Sequence, residues 1–280
     1  HAADHRRASL RVLAGGRLYP VVFHLGPFPV RSYGIALAIS FLLGCGLALR
    51  RARARGYSED LMFGLFFWII AAAIVGARAH FVLAHPADFA SPVDAFRLWD
   101  GGLTLYGGLV AALLASWIYL TRHRVPFLAV ADTCAPSLAL GEGITRIGCF
   151  INGCCFGHAG HGPFCILYPP ESYAAVVLGP GVPAVASQLL LSAALLLATG
   201  GLLLVGRRLR GAGRLFGLFL VVQGTVRWAV DFTRYYEPID RLETLAPVIT
   251  TKSQLIALAL VAWGVWLLVR RLRGAAVAGA

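Results

Sequence analysis

Seven apolar stretches, at roughly residues 30–49, 60–84, 102–120, 128–151, 184–206, 214–233 and 253–269, divide this chain. Each is long enough to cross a hydrocarbon layer of about 30 Å as a helix rising about 1.5 Å per residue. No water reaches the backbone inside such a layer, so every N–H and C=O must be satisfied within a helix or a closed barrel. Runs of this length and continuity suit helices. With 58% hydrophobic and only 14% charged residues over 280 positions, and a mean hydropathy of +0.73, an ordinary water-soluble domain is excluded. The expected fold is all-α, a polytopic membrane protein with seven transmembrane helices.

Arginine clusters orient these helices. They stand at Arg50/Arg51/Arg53/Arg55, Arg122/Arg124, Arg207/Arg208/Arg210/Arg214 and Arg270/Arg271/Arg273, after the first, third, fifth and seventh stretches. Basic residues near short loops collect on the cytoplasmic side, so the N-terminus is expected outside and the C-terminus in the cytoplasm. The net charge of +12 then reads as a topology signal and as attraction to anionic headgroups, not as nucleic-acid binding. Residues 1–29 stand apart. The segment Leu10 to Phe28 is amphipathic and is expected on the outer leaflet surface, and it lacks the continuous apolar core of a signal peptide. Residues 30–273 are expected to form a single membrane domain without a soluble appendage.

Polar residues that fit lipid poorly gather at the outer ends of the spans. They are Tyr33, Arg78 and His80, Asp100 and Tyr106, Glu142 and Arg146, and Arg227, Asp231 and Arg234. A single arginine at such a depth can snorkel to the headgroups, but four spans bringing polar groups to one level point to an inward-facing cavity. Glu142 and Arg146 are spaced four apart on one helix face, as are Arg227 and Asp231, so each arginine has a local partner. A guanidinium fork suits a phosphate. Two glycine pairs flank Tyr106 in Asp100-Gly101-Gly102-Leu103-Thr104-Leu105-Tyr106-Gly107-Gly108, where they serve either close approach of a headgroup to backbone N–H groups or tight helix packing.

These residues resemble the prolipoprotein diacylglyceryl transferases. The similarity rests on Val30-Arg31-Ser32-Tyr33-Gly34, Gly76-Ala77-Arg78, Trp99-Asp100-Gly101-Gly102 with Tyr106-Gly107-Gly108, the tract from Arg146 to Gly157, Arg227 to Arg234, and the Ser253-Gln254 opening of the last span. It covers roughly residues 20–270. The resemblance implies transfer of diacylglyceryl from phosphatidylglycerol to the lipobox cysteine thiol of a prolipoprotein, the first step of bacterial lipoprotein maturation. It also implies a multi-pass protein of the cytoplasmic (inner) membrane whose site faces the outer leaflet. Its partners would be phosphatidylglycerol, the prolipoprotein signal peptide and membrane lipids, and no cofactor or metal is expected. Carried onto this sequence, the catalytic candidates are Tyr106, Arg146 and Arg227. The substrate-binding candidates are Tyr33, Arg78, Asp132, Asn152, Gly157, Asp231 and Arg234.

The chain departs from that pattern at several polar positions. Tyr106 stands where histidine is common, Cys149 where the signature has asparagine, Cys154 where it has glutamate, Asp231 for a usual glutamate and Gln223 for a usual tyrosine. An unperturbed phenol is a poor base near neutral pH, so Tyr106 is suited to binding or orienting the donor. Cys154, Cys155, His158, His161 and Cys165 lie within one outer loop, close enough in sequence for a zinc site or a disulfide. The alternatives are therefore a divergent relative with another donor lipid or acceptor, or a thiol-redox or metal-binding membrane protein. In the transfer reading the nucleophile belongs to the acceptor, and the cysteines shape the loop.

Overall fold

The structure is a computed structural model that describes residues 21–25, 28–86, 89, 91, 94, 96–97, 102–170, 172–209, 211–236 and 251–270. It is mostly helical. In chain order the elements are β1 (Val21–Leu25), β2 (Phe28–Arg31), α1 (Ser32–Arg53), α2 (Glu59–Ala84), α3 (Leu105–Arg122), α4 (Phe127–Ile151), β3 (Cys165–Leu167), α5 (Tyr173–Leu178), β4 (Pro183–Val185), α6 (Ser187–Val205), α7 (Arg214–Asp231) and α8 (Lys252–Val269). Six of the helices, α1 to α4, α6 and α8, are long and apolar enough to cross a membrane, which makes this a multi-pass membrane protein. Large apolar side chains point outward along them, with Val75 68% and Leu197 78% exposed, as a lipid-facing surface requires. Helix α7 carries Arg214, Arg227 and Asp231 and falls outside that apolar set. The all-α expectation needs correcting on one point. The strands β1 with β2 and β3 with β4 form two antiparallel two-stranded sheets, because connections between helices can still pair their own backbone groups. Of the N-terminal segment, residues 1–20 and 26–27 lie outside the described residues.

The chain divides into two compact units, and each is taken by itself. In the unit spanning residues 48–133, α2 and α3 run antiparallel, Gly64 facing Tyr119 toward one end and Gly76 facing Gly107 toward the other. A Cβ on Gly76 would sit 2.6 Å from the Gly107 carbonyl oxygen, and one on Gly108 would sit 3.0 Å from the Ala73 carbonyl oxygen. The glycine pair after Tyr106 therefore serves helix packing, one of the two roles open to it from the sequence. Ser58 caps α2 by accepting from the Leu61 N–H at 3.3 Å, with Glu59 and Asp60 favourably placed in the first turn. Pro136 has no N–H to give to the Asp132 carbonyl four residues back. Arg51 donates there at 3.4 Å and to the Thr133 carbonyl at 2.9 Å, so a basic cluster closes the opening turns of α4.

The other unit, residues 1–47 and 134–280, is also stitched by small residues and hydroxyls. Ser40 on α1 donates to the Gly141 carbonyl of α4 at 2.6 Å, and Ser192 on α6 donates to the Gly143 carbonyl at 2.8 Å. Helices α7 and α8 touch backbone to backbone. A Cβ on Gly264 would fall 2.6 Å from the Gly217 carbonyl oxygen, and the reverse contact is 2.9 Å. With lipid as apolar as leucine, such close van der Waals approach carries much of the association. Gly264→Val is accordingly expected to force the two helices apart and destabilise the fold by about 1–3 kcal/mol, measured as an earlier unfolding transition in detergent. An unchanged transition would mean that the contact contributes nothing. Thr251 and Gln254 form a capping box at the start of α8, each accepting at 3.2 Å from the other's backbone N–H.

The segment after α4 makes a small packed layer of its own. Phe156, Ile166, Tyr168, Ala174, Ala184 and Ala186 are buried together, with Phe150, Val177, Leu178 and Tyr235 against them. Helix α5 and the β3–β4 pair build this layer, where the sequence suggested only a connecting loop.

Candidate functional site

Two helix ends in the second unit bring charged side chains to one place. On α4, Arg146 Nη2 lies 3.2 Å from Glu142 Oε1, the pairing its four-residue spacing demands. Gln223 on α7 donates to the other oxygen of the same carboxylate. On α7, Arg227 Nε lies 3.2 Å from Asp231 Oδ1 and 3.1 Å from Ser253 Oγ. The chain then turns back and delivers Tyr236. Its hydroxyl donates to Asp231 Oδ1 at 2.9 Å and accepts from Arg227 Nη2 at 3.1 Å and Arg234 Nη1 at 3.3 Å. Arg234 also lies 5.0 Å above the Tyr236 ring. Burial raises the Tyr236 pKa against the opposing pull of Arg227 and Arg234, so this tyrosine serves as a neutral hydroxyl.

Arg146, Arg227, Asp231 and Arg234 line one cleft together with Cys155, Ser187, Gln188, Leu191 and Val230. Three guanidinium groups meet two carboxylates here, those of Glu142 and Asp231, leaving one positive charge in excess. Arg146 Nε and Arg234 Nε are buried donors without a hydrogen-bond partner among the described residues. A buried N–H left unmade costs about 1–3 kcal/mol, more when charged, so an anion placed against these groups would be stabilised.

The loop from Asn152 to Gly157 forms one wall of the cleft. Cys155 is held at φ +63°, a left-handed backbone that a non-glycine residue seldom adopts. Gln188 locks the turn from below. Its amide donates to the Cys154 carbonyl at 2.8 Å, while its oxygen accepts from the buried Tyr168 hydroxyl at 3.0 Å. The Cys149 and Cys154 thiols beside Cys155, with Arg234 and Arg146 beyond them, pull the Cys155 pKa below the ordinary thiol range. Gly157 pairs with Arg234 in a β-bridge, flanked by His158 N–H to the Thr233 carbonyl at 2.9 Å and Tyr235 N–H to the Phe156 carbonyl at 3.0 Å. Only glycine fits at 157, since a Cβ would meet Ser187 Oγ and Val185 Cβ at 2.6 Å. This residue positions Arg234.

The remaining candidates fall elsewhere. Tyr33 opens α1 and packs against Gly148 of α4, within the same unit as the cleft. Asn152 follows the last turn of α4, half-buried, its N–H bonded to the Gly148 carbonyl at 3.0 Å. Arg78, Tyr106 and Asp132 belong to the unit of residues 48–133. There Arg78 is buried, donating to the carbonyls of Asp94 at 2.8 Å and Gly102 at 3.2 Å and lying against Phe81 and Phe89, so it pins the connection between α2 and α3. Tyr106 is exposed in the first turn of α3, and Asp132 is buried with Arg51 and Thr133. Asp100 lies outside the described residues. Tyr236, Gln188, Ser253 and Cys155 are not among the catalytic or substrate-binding candidates read from the sequence, although Ser253 lies in the Ser253-Gln254 motif quoted for the resemblance. Each depends on a chain reversal that no periodicity announces.

Comparison with known proteins identifies the family. The family model for prolipoprotein diacylglyceryl transferase matches residues 20–270. A protein of Nitratidesulfovibrio vulgaris (strain Miyazaki F), named phosphatidylglycerol–prolipoprotein diacylglyceryl transferase, is 34% identical over 269 residues, covering 95% of this chain and 98% of its own. Proteins of the same name from Chromohalobacter salexigens and Geobacter sulfurreducens are each 32% identical, over 87% and 81% of this chain and 91% and 85% of theirs. A match across most of the chain, with its arginines gathered at one cleft, makes this protein a member of the prolipoprotein diacylglyceryl transferase family.

Proposed function

We propose that this protein transfers diacylglyceryl from phosphatidylglycerol to the lipobox cysteine thiol of prolipoproteins. The observation that carries the reading is the cleft lined by Arg146, Arg227 and Arg234, with two buried guanidinium N–H groups left for a ligand. In the reaction the acceptor sulfur forms an S–C bond to the diacylglyceryl carbon as the C–O bond to phosphate breaks. Glycerol phosphate departs with the electron pair. Negative charge grows on the phosphate oxygens, and preorganised guanidinium groups in a water-poor cleft stabilise it without reorganising. Asp231 and Glu142 hold the arginines in place. Tyr33 and Asn152, in the same unit as the cleft, are assigned to donor binding on the family resemblance, as are Arg78 and Tyr106 in the unit of residues 48–133.

In this reading α7 is a seventh span, its charged end buried by the partners described above. Arg214 opens α7 and Arg227 lies about 20 Å further along its axis, so the basic loop before α7 and the cleft fall toward opposite membrane faces. The protein then sits in the bacterial cytoplasmic membrane with its N-terminus outside and the cleft toward the outer leaflet. Purified protein incubated with phosphatidylglycerol and a lipobox peptide is expected to yield a peptide carrying a thioether-linked diacylglyceryl group, read by mass spectrometry. Donor consumption without modified peptide would reject the acceptor, and no turnover of either would reject the reaction.

A further inference from the structure

The turn after α4 gathers three thiols. Cys149 ends a face of α4, and Cys154 and Cys155 follow the chain reversal at Gly153, so that all three sulfur atoms lie within 4.8 Å of one another. This is not the set that loop spacing suggests. Among the described residues His158, His161 and Cys165 do not join the group, and Cys149, a helix residue, replaces them. Three sulfurs around one tetrahedral zinc stand about 3.8 Å apart, given a Zn–S bond of about 2.3 Å, so the observed cluster needs only a slight closing. The cluster is also held. Cys154 Sγ lies 3.6 Å from the Cys149 carbonyl, Gln188 fixes the Cys154 carbonyl, and Cys155 is kept in its left-handed backbone.

The cleft has a chemical need that its other residues leave unmet. Among the described residues its lining holds arginines, Cys155, a serine, a glutamine and apolar side chains, and its carboxylate, Asp231, meets Arg227 and the Tyr236 hydroxyl through Oδ1 while Oδ2 is buried without a hydrogen bond. Among the described lining residues none is a histidine, and the carboxylate is tied to the Arg227 guanidinium, a poor arrangement for taking a proton from an incoming thiol. Cys155 belongs both to the sulfur cluster and to the wall of the arginine cleft.

We infer that Cys149, Cys154 and Cys155 bind a zinc ion whose fourth position opens onto the arginine cleft and takes the acceptor thiol. The inference rests on the transfer reading above for the identity of that thiol. Three protein ligands with one position left over is the arrangement of reactive zinc, and soft sulfur donors favour it over hard cations. A thiol bound to zinc is deprotonated outright. The acceptor S–H releases its proton to water on binding, and its sulfur then carries the electron pair that forms the S–C bond while the phosphate leaves with the pair from the C–O bond. Zinc changes neither oxidation state nor protein ligands. Three thiolates and Zn²⁺ sum to one negative charge, equal to the one positive charge that the cleft arginines hold in excess.

The test is metal analysis of the full-length protein purified in detergent under reducing conditions, paired with cobalt substitution. About one equivalent of zinc is expected, with zinc content falling at least about tenfold in each of Cys149→Ser, Cys154→Ser and Cys155→Ser. It should be unchanged in Cys45→Ser and Cys165→Ser. Cobalt-loaded wild-type protein, which needs no variant to fold, should show thiolate-to-cobalt charge-transfer absorption that strengthens when a cysteine lipobox peptide is added, and not when its serine counterpart is added. Absence of zinc, copper in its place, zinc that survives all three substitutions, or a disulfide among these cysteines in the unreduced protein would each overturn the site. A cobalt spectrum indifferent to the cysteine peptide would overturn its role. If cobalt responds to the peptide but no lipid is transferred from phosphatidylglycerol, the zinc–thiol site stands and the transfer reading falls.

Discussion

Arg146→Ala and Arg227→Ala are each expected to lower diacylglyceryl transfer by about 10²–10³-fold, the usual consequence of removing one preorganised donor from a site where negative charge develops. The two arginines reach the cleft from different helices, α4 and α7, and each is held by its own carboxylate, so neither can swing into the other's place. The loss should appear in kcat as well as in kcat/KM, because the phosphate oxygens gain charge only as the C–O bond breaks. Arg→Lys at either position keeps the charge but not the planar fork, and it should regain only part of the activity. Rates of both alanine variants within a few-fold of wild type, with folding intact, would remove the phosphate-binding role from this cleft.

The legibility of these features in the sequence followed the range of the interactions involved. The long helices were readable because burial in lipid imposes one uniform demand on some twenty consecutive residues. The pairs Glu142–Arg146 and Arg227–Asp231 were readable because a helix places residues four apart on one face. The basic cluster at the end of α1 was visible too, but not that Arg51 within it closes carbonyls in the opening of α4. What escaped the sequence is non-local. Tyr236 joins Asp231, Arg227 and Arg234 only because residues 232–236 turn back and pair with Phe156 and Gly157. The layer around Phe156 and Tyr168 has strands of three residues, too short to show alternation. Cys149 read as an isolated change in a family pattern, and its partnership with Cys154 and Cys155 depends on the reversal at Gly153. Arg78 and Asp132 entered as substrate-binding candidates through the family resemblance, and their local surroundings were not readable from the sequence. The first is engaged with backbone carbonyls and aromatic rings, and the second sits in a basic cluster at the start of α4.

Asp231→Ala should be the most damaging single substitution for stability. Its side chain is fully buried, and one oxygen holds both Arg227 Nε at 3.2 Å and the Tyr236 hydroxyl at 2.9 Å. Removing it leaves Arg227 and Arg234 facing each other across Tyr236 with no balancing charge on α7. Losing one member of a buried, hydrogen-bonded ion pair costs about 3–5 kcal/mol, because the surviving charge stays desolvated. Tyr236→Phe keeps both charges and removes only the hydroxyl bridge, so its effect should be nearer about 1–2 kcal/mol. The order of the two variants is itself diagnostic. If the network serves mainly to aim the arginines, Tyr236→Phe should reduce transfer more than its stability loss explains. Asp231→Ala should lower the unfolding temperature in detergent by far the larger amount. If Asp231→Ala unfolds at the wild-type temperature, the carboxylate is not what holds Arg227 and Arg234 together, and the cleft must be organised by the loop contacts at Gly157 and Gln188 alone.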